Sequence, residues 1–125
     1  MSQSTHASTH ADPAETLRAF HDAVNMTAGE MEKWLATPES NEVGWRAHEG
    51  DAEAVGHESG RRIVQLLRTK RSDYTEDDYA QMRRVVGYVH RHMAQRPHHP
   101  PEELAHMRWR YSLMNWGHDP LKPAR

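Results

Sequence analysis

Residues 56–95 read GHESGRRIVQLLRTKRSDYTEDDYAQMRRVVGYVHRHMAQ, and their pattern decides the fold. In the second half of this stretch Tyr79, Met82, Val86, Val89 and Met93 recur at steps of three and four residues. That spacing gathers them into one apolar stripe of an α-helix. At about 100° per residue, Arg83, Arg84, His90 and Arg91 fall on the opposite side, around Ala80, Gly87 and Ala94. The first half buries Ile63, Leu66 and Leu67 and ends among Arg68, Lys70 and Arg71. Acid at its start and base at its end suit the helix dipole. Ser72-Asp73-Tyr74-Thr75 is the turn between the two, and Thr75 caps the second helix, with Glu76, Asp77 and Asp78 in its positive first turn. The second helix is expected to run about twenty residues, roughly 30 Å. Both are basic amphipathic helices, with one face to bury and one to meet something negative or closely packed.

Outward from this pair, the remaining segments also read as helical. Asp12-Pro13 is an N-cap followed by proline at the first helical position, opening a helix that buries Leu17, Phe20 and Val24 and ends near Asn25. Thr27-Ala28-Gly29-Glu30 has the capping-box pattern and starts a short helix with Met31, Trp34 and Leu35 on its inner face. Thr37-Pro38 is expected to stop it. Residues 39–56 read as a loop around Gly44-Trp45 and Glu49-Gly50-Asp51, anchored by Trp45, with the next helix beginning at His57-Glu58-Ser59. Pro97 and His98-His99-Pro100-Pro101 end the long helix. Leu104, Met107, Trp109, Tyr111, Leu113, Met114 and Trp116 make the last segment apolar enough to dock on the bundle. The tandem Ser4-Thr5-His6-Ala7 and Ser8-Thr9-His10-Ala11 has nothing to bury and is expected to be disordered. No segment alternates with a period of two. The expectation is an all-α protein: a polar tail over residues 1–11, then one domain over 12–122, a compact bundle of four main helices with a docked C-terminal segment.

Composition narrows the function classes. The 125 residues suffice for one modest core. Cysteine is absent, which excludes disulfides, thiolate metal sites and cysteine nucleophiles. No apolar run approaches a membrane span and no signal-peptide layout opens the chain, so a soluble cytoplasmic protein is expected. The net charge of −2 hides a polarised distribution. Residues 1–60 carry three basic and eleven acidic residues, and residues 61–125 carry thirteen basic and seven acidic. The two halves can neutralise each other across the fold, or the basic half can face a polyanion.

Three segments carry a resemblance. His57-Glu58-Ser59-Gly60-Arg61-Arg62-Ile63, the run from Tyr74 through Gln95, and Trp109-Arg110-Tyr111-Ser112-Leu113-Met114-Asn115-Trp116-Gly117-His118-Asp119-Pro120 resemble a small bacterial family. Its members are catalogued as a domain of unknown function, some of them labelled DNA-binding proteins. The likeness spans residues 14–122, with the Ser-Thr-His-Ala tail and the His98-to-Pro101 linker outside the family pattern. It implies an association with DNA, with no defined site or target sequence to carry over.

The residues themselves point the same way, with objections. Arg61, Arg62, Arg68, Lys70 and Arg71 cluster on and after the third helix, and Arg83, Arg84 and Arg91 follow on the fourth. Arginine outnumbers lysine thirteen to three, and its planar fork suits phosphate and guanine edges. A helix-turn-helix reading places the fourth helix in the major groove. Against it, Glu76-Asp77-Asp78 would repel phosphate at the end that usually meets DNA, and Ser72–Thr75 lacks the usual glycine. The expected contact is therefore to the backbone, lateral or at the C-terminal end of the helix, electrostatic and weakly sequence-specific. The competing reading is a protein–protein module or homodimer that uses the Gly87 face and the Trp-rich C-terminus. Gly87 costs roughly 1 kcal/mol in a helix interior, so close approach of something to that face would explain it. Tyr74 and Tyr88 are the candidates for base stacking.

Metal and catalytic chemistry find no footing. His90 and His92 lie about 200° apart on one helix and cannot share a ligand. His98-His99 has no carboxylate nearby until Glu102. His57-Glu58 as neighbours point apart, which favours a capping or turn role for His57, and His118-Asp119 before Pro120 reads as a turn. No phosphate loop, nucleophile elbow or Ser-His-Asp arrangement is present, so neither a cofactor nor an enzymatic activity is expected.

Overall fold

A computed structural model describes residues 12–43 and 55–123. Every regular element among them is helical. The chain runs α1 (Pro13–Ala23), α2 (Ala28–Leu35), α3 (Pro38–Glu42), α4 (Val55–Leu67), a single 3-10 turn at Arg71–Asp73, α5 (Glu76–Met93), α6 (Pro101–Leu104) and α7 (Arg108–Asn115). The helix starts form as their sequences dictate. Asp12 Oδ1 accepts from the Ala14 N–H at 3.1 Å, with Pro13 in the first turn. In α2 the Glu30 N–H donates to Thr27 Oγ1 (3.1 Å) while Glu30 Oε1 takes the Thr27 N–H (2.9 Å). Thr75 and Asp78 make the same reciprocal pair at the start of α5.

One core lies between these helices. Phe20 of α1, Met31 of α2, Ile63 of α4, Met82 and Val85 of α5, and Leu113 of α7 are fully buried in it. The α1 helix packs along α5, and α2 packs on α4. The short α7 touches α2, α3, α4 and α5, so the C-terminal segment docks as the chemistry of its side chains requires.

Two local expectations are corrected. Pro38 does end α2, but it also opens α3, where Thr37 caps the Ser40 N–H at 3.3 Å; residues 38–42 are helix, not loop. The pyrrolidine ring suits the first helical turn as well as it stops the previous helix. The anchoring role of Trp45, its loop and the Ser-Thr-His-Ala tail lie outside the described residues. The second correction concerns the register of α5. Its buried line is Gln81, Met82, Val85 and Val89, whereas Tyr79, Val86 and Met93 are only half-buried. Burial is centred one flank over because α1 covers one side of α5 while α4 and α7 approach the other. Gln81 tolerates that place by donating its amide to Ser59 Oγ at 3.1 Å.

A polar node joins α2, α3, α4 and α7. Asn115 is 1% exposed. Its Oδ1 accepts from the Trp34 indole at 2.7 Å and from the Ser40 hydroxyl at 2.6 Å, and its Nδ2 donates to the Ser40 carbonyl at 2.9 Å. Ser40 Oγ also lies 2.9 Å from His57 Nδ1. With its one proton given to Asn115, Ser40 accepts there, and His57 carries its proton on Nδ1. His57 thus sits within α4 and fastens it to α3, rather than capping a helix or turning the chain. Gly60 passes directly beneath this node: a Cβ there would come within 2.7 Å of the Asn115 carbonyl oxygen and of Leu35 Cδ2.

The end of α7 is closed by a Schellman motif. The His118 N–H reaches the Leu113 carbonyl and the Gly117 N–H reaches that of Met114, both at 3.0 Å. Gly117 sits at φ +86°, where L side chains are strained. The chain then turns so that His118 Nδ1 meets the Ala23 carbonyl (2.8 Å) and Asp119 takes a bidentate grip from Arg110 (3.1 and 2.9 Å). Asn25 bonds both the carbonyl and the N–H of Asp119, tying the end of α1 to the chain terminus. The His118-Asp119 turn exists, and it doubles as a clasp.

Candidate functional site

The outer face of α5 is the place where the sequence-selected cations gather. Arg83, Arg84, His90 and Arg91 are exposed, and Ala80 and Gly87 between them are partly exposed. Among the described residues no helix packs on the side opposite the core: a Cβ added at Gly87 would meet Arg91 Nη1, at 3.2 Å. Arg83 and Arg91 are separated by about 12 Å along the axis. Arg83 also borders a shallow cleft of about 230 Å³ against α1, where it faces Glu15 and Thr16. The Thr16 hydroxyl there is buried without a hydrogen-bond partner.

The other candidates divide into engaged and unengaged groups. Arg62 Nη2 donates to Asp77 Oδ2 at 2.6 Å and to Asp78 Oδ1 at 3.2 Å. The Asp77 hydrogen bond outweighs partial burial and holds the guanidinium pKa above its ordinary value. Asp78 is held below the usual carboxylate range, first by the Thr75 N–H and then by Arg62. Arg68 pairs with Glu32 across to α2, with Nη2 to Oε1 at 3.0 Å, and lowers the pKa of that carboxylate. Arg61 is exposed and engaged as well. Arg62 and Arg68 thus neutralise acids of this chain. Lys70 and Arg71 are exposed around the 3-10 turn and make no ion pair among the described residues. The eight residues therefore do not form one surface; Arg83, Arg84 and Arg91 share the exposed side of α5 by helix position, with the Arg84 guanidinium held on Gln81 Oε1 at 3.0 and 2.7 Å.

Arg62 also changes the electrostatics at the start of α5. Of the three carboxylates there, Asp77 and Asp78 are bridged by its guanidinium, and Asp78 is further spent on the Thr75 cap. The acidic first turn is less repulsive to an approaching anion than its sequence suggests.

The aromatic candidates are committed internally. Tyr88 lies parallel to His92 (3.9 Å between centroids) and to Trp116 (4.3 Å), so both of its faces are covered. Burial raises the pKa of its hydroxyl, against a hydrogen bond with Ser112. Tyr74 donates to the Leu66 carbonyl at 2.7 Å and meets Tyr79 edge to face. Trp109 gives its indole N–H to the His92 carbonyl at 2.8 Å, with Arg96 over its ring. His99 and Glu103 pair at 2.8 Å, and no third His, Asp or Glu joins them among the described residues.

A second feature was not legible as a site. Between α4, α5 and α7 lies a cleft of about 370 Å³, bounded by Arg62 and Arg84 together with Ser59, Gln81 and Trp116. Two of these are arginines that the sequence selects for other reasons. The signal for the rest is Gln81, a polar residue in helical register with Val85 and Val89. A polar group on a buried line needs a partner, and here that partner is Ser59 on the neighbouring helix.

No helix among the described residues is long and apolar enough to cross a membrane. A family model described as "Protein of unknown function (DUF3140)" matches residues 19–114, and the chain belongs to this family. No curated protein and no solved structure matches the chain.

Proposed function

We propose that this DUF3140 protein binds nucleic acid, DNA in the first instance, through the outer face of α5. Contact is lateral, electrostatic and weakly sequence-specific. The observation that carries the reading is the unpacked stripe Ala80–Gly87–Ala94, flanked by Arg83, Arg84, His90 and Arg91. Small residues let the helix backbone approach a sugar-phosphate chain, and the flanking guanidiniums reach its phosphates on either side. Neutralisation of Asp77 and Asp78 by Arg62 removes part of the repulsion at the helix start. Lys70 and Arg71 supply further positive charge from the turn.

The alternative, a protein–protein module or homodimer, uses the same Gly87 face. It draws less from the Trp-rich C-terminus, because Trp109 is bonded to His92 and Trp116 is stacked on Tyr88 within the chain. Fluorescence anisotropy of a labelled random-sequence duplex at low salt, with the Arg83/Arg84/Arg91→Ala triple variant, tests the proposal. The variant is expected to bind at least about tenfold more weakly than the parent. Equal binding by both, or no binding by the parent, overturns it. Light scattering on the parent reads the dimer alternative directly.

A further inference from the structure

The cleft between α4, α5 and α7 has the chemistry of a small-ligand site; it shares Arg84 with the outer face of α5 and is otherwise bordered by groups that face does not use. Its polar groups are positioned by the chain and keep donors to spare. Arg84 gives Nε and Nη2 to Gln81 Oε1 at 3.0 and 2.7 Å, which fixes the guanidinium plane and leaves Nη1 without a partner among the described residues. Among the described residues Arg62 is anchored on Asp77 and Asp78 through Nη2, and Nε and Nη1 make no further bond there. Ser59, 8% exposed, accepts from Gln81, so its own hydroxyl proton is available to donate. Three donors thus border one space, and each is held by a neighbour that does not exhaust it. This is an oxyanion-binding arrangement with the orientation already fixed.

The apolar and charge content of the walls narrows the ligand. Trp116 and Val55 line the cleft, and the Trp116 ring is held in place by its parallel stack on Tyr88, with the planes 11° apart. The edge of that ring rests on α4, where Gly56 leaves room: a Cβ there would come within 3.2 Å of Trp116 Nε1. Among the described residues the ionisable groups lining the space are Arg62, Arg84 and Glu58, and Arg62 is already offset by Asp77 and Asp78. A space with so little positive charge to spare takes a single negative charge at most, a monocarboxylate rather than a phosphate dianion. The volume, about 370 Å³, is at the small end of organic-ligand pockets.

We infer that this cleft binds a small flat organic monocarboxylate, with the carboxylate on Arg62, Arg84 and Ser59 and the ring beside Trp116 and Val55. The inference does not rest on nucleic-acid binding, and its test contains no nucleic acid. The probe is 2-naphthoate, titrated into the full-length protein while the Trp116 indole N–H is followed by NMR and assigned with Trp116→Phe. Saturable movement of that resonance is expected. The neutral 2-naphthylmethanol and ring-free acetate should each bind about tenfold or more weakly. Arg84→Ala, which alters an exposed side chain, should lose about tenfold in affinity, and the charge-matched control Arg18→Ala on α1 none. A silent Trp116 resonance overturns the inference. So does 2-naphthylmethanol binding as well as the acid, Arg84→Ala binding as tightly as the parent, or 2-naphthyl phosphate binding more tightly than 2-naphthoate.

Discussion

Replacing Asn115 by alanine should remove a large part of this protein's stability, and the polar node shows how much. Asn115 is buried at the meeting of four helices and makes three side-chain hydrogen bonds. In Asn115→Ala the Trp34 indole N–H and the Ser40 carbonyl lose their partners in a site closed to solvent. The Ser40 hydroxyl can recover by donating to His57 Nδ1, once that ring moves its proton to the other nitrogen. Two stranded groups remain, each costing about 1–3 kcal/mol, and the missing amide leaves a hole besides. The expected loss is about 3–5 kcal/mol, against a total of about 5–15 kcal/mol for a domain of this size. Urea unfolding followed by far-ultraviolet circular dichroism reads it directly. With a slope of about 1–2 kcal/mol/M, the midpoint should fall by about 1.5 M or more at unchanged slope. A loss below about 1 kcal/mol at unchanged slope would refute the reasoning, because α7 would then be held by its apolar contacts alone.

Two glycines should respond in opposite directions. Gly60→Ala forces a Cβ to within 2.7 Å of a backbone carbonyl and should destabilise by about 1–3 kcal/mol, whereas Gly87→Ala meets only a flexible arginine tip and should stabilise by about 0.5–1 kcal/mol; thermal unfolding of both variants checks this. At Asp119 burial would raise the pKa, but the Arg110 pair and the Leu121 N–H outweigh it, so the carboxyl titrates below its ordinary value. Its contribution is therefore complete above the unfolded pKa of about 3.9 and is lost as pH falls through the lower folded value; the parent-minus-Asp119→Asn difference in urea midpoint should shrink over that window. Burial, with Arg91 adding to it against the Tyr88 carbonyl, holds His92 below the usual histidine pKa. The unfolded chain then binds that proton more readily, so stability should rise with pH up to about 6.5, and His92→Phe, which keeps a ring beside Tyr88, should weaken that rise.

Legibility from the sequence followed the range of the interactions. Asp12, Thr27 and Thr75 cap their helices through bonds spanning two or three residues, and such local chemistry is written in the order of residues. Phe20, Met31, Ile63 and Met82 show in the periodicity because apolar burial needs no particular partner. Gln81 escaped the stripe because its burial depends on Ser59, twenty-two residues away. The sequence neighbours of His57 suggest a cap or turn, whereas its partner Ser40 lies seventeen residues back. The same limit governed the basic residues: thirteen arginines are visible in the sequence, but the pairing of Arg62 with Asp77 and of Arg68 with Glu32 is tertiary. The resemblance segments converge on structure. Gly60, Asn115, Gly117 and Asp119 all lie in the node, the helix closure or the clasp, so those motifs specify how α7 docks before they specify a ligand.

The measurement closest to the central claim is the salt dependence of duplex DNA binding, taken on the parent and on the Arg83/Arg84/Arg91→Ala variant. Each phosphate neutralised steepens the fall of log K with log salt by about 0.9. Three guanidiniums on the outer face of α5 therefore predict a slope shallower by about 2.7 in the variant, with weaker binding at low salt. Parallel slopes and equal affinities would contradict the account, because the nucleic acid would then lie on another surface of the protein.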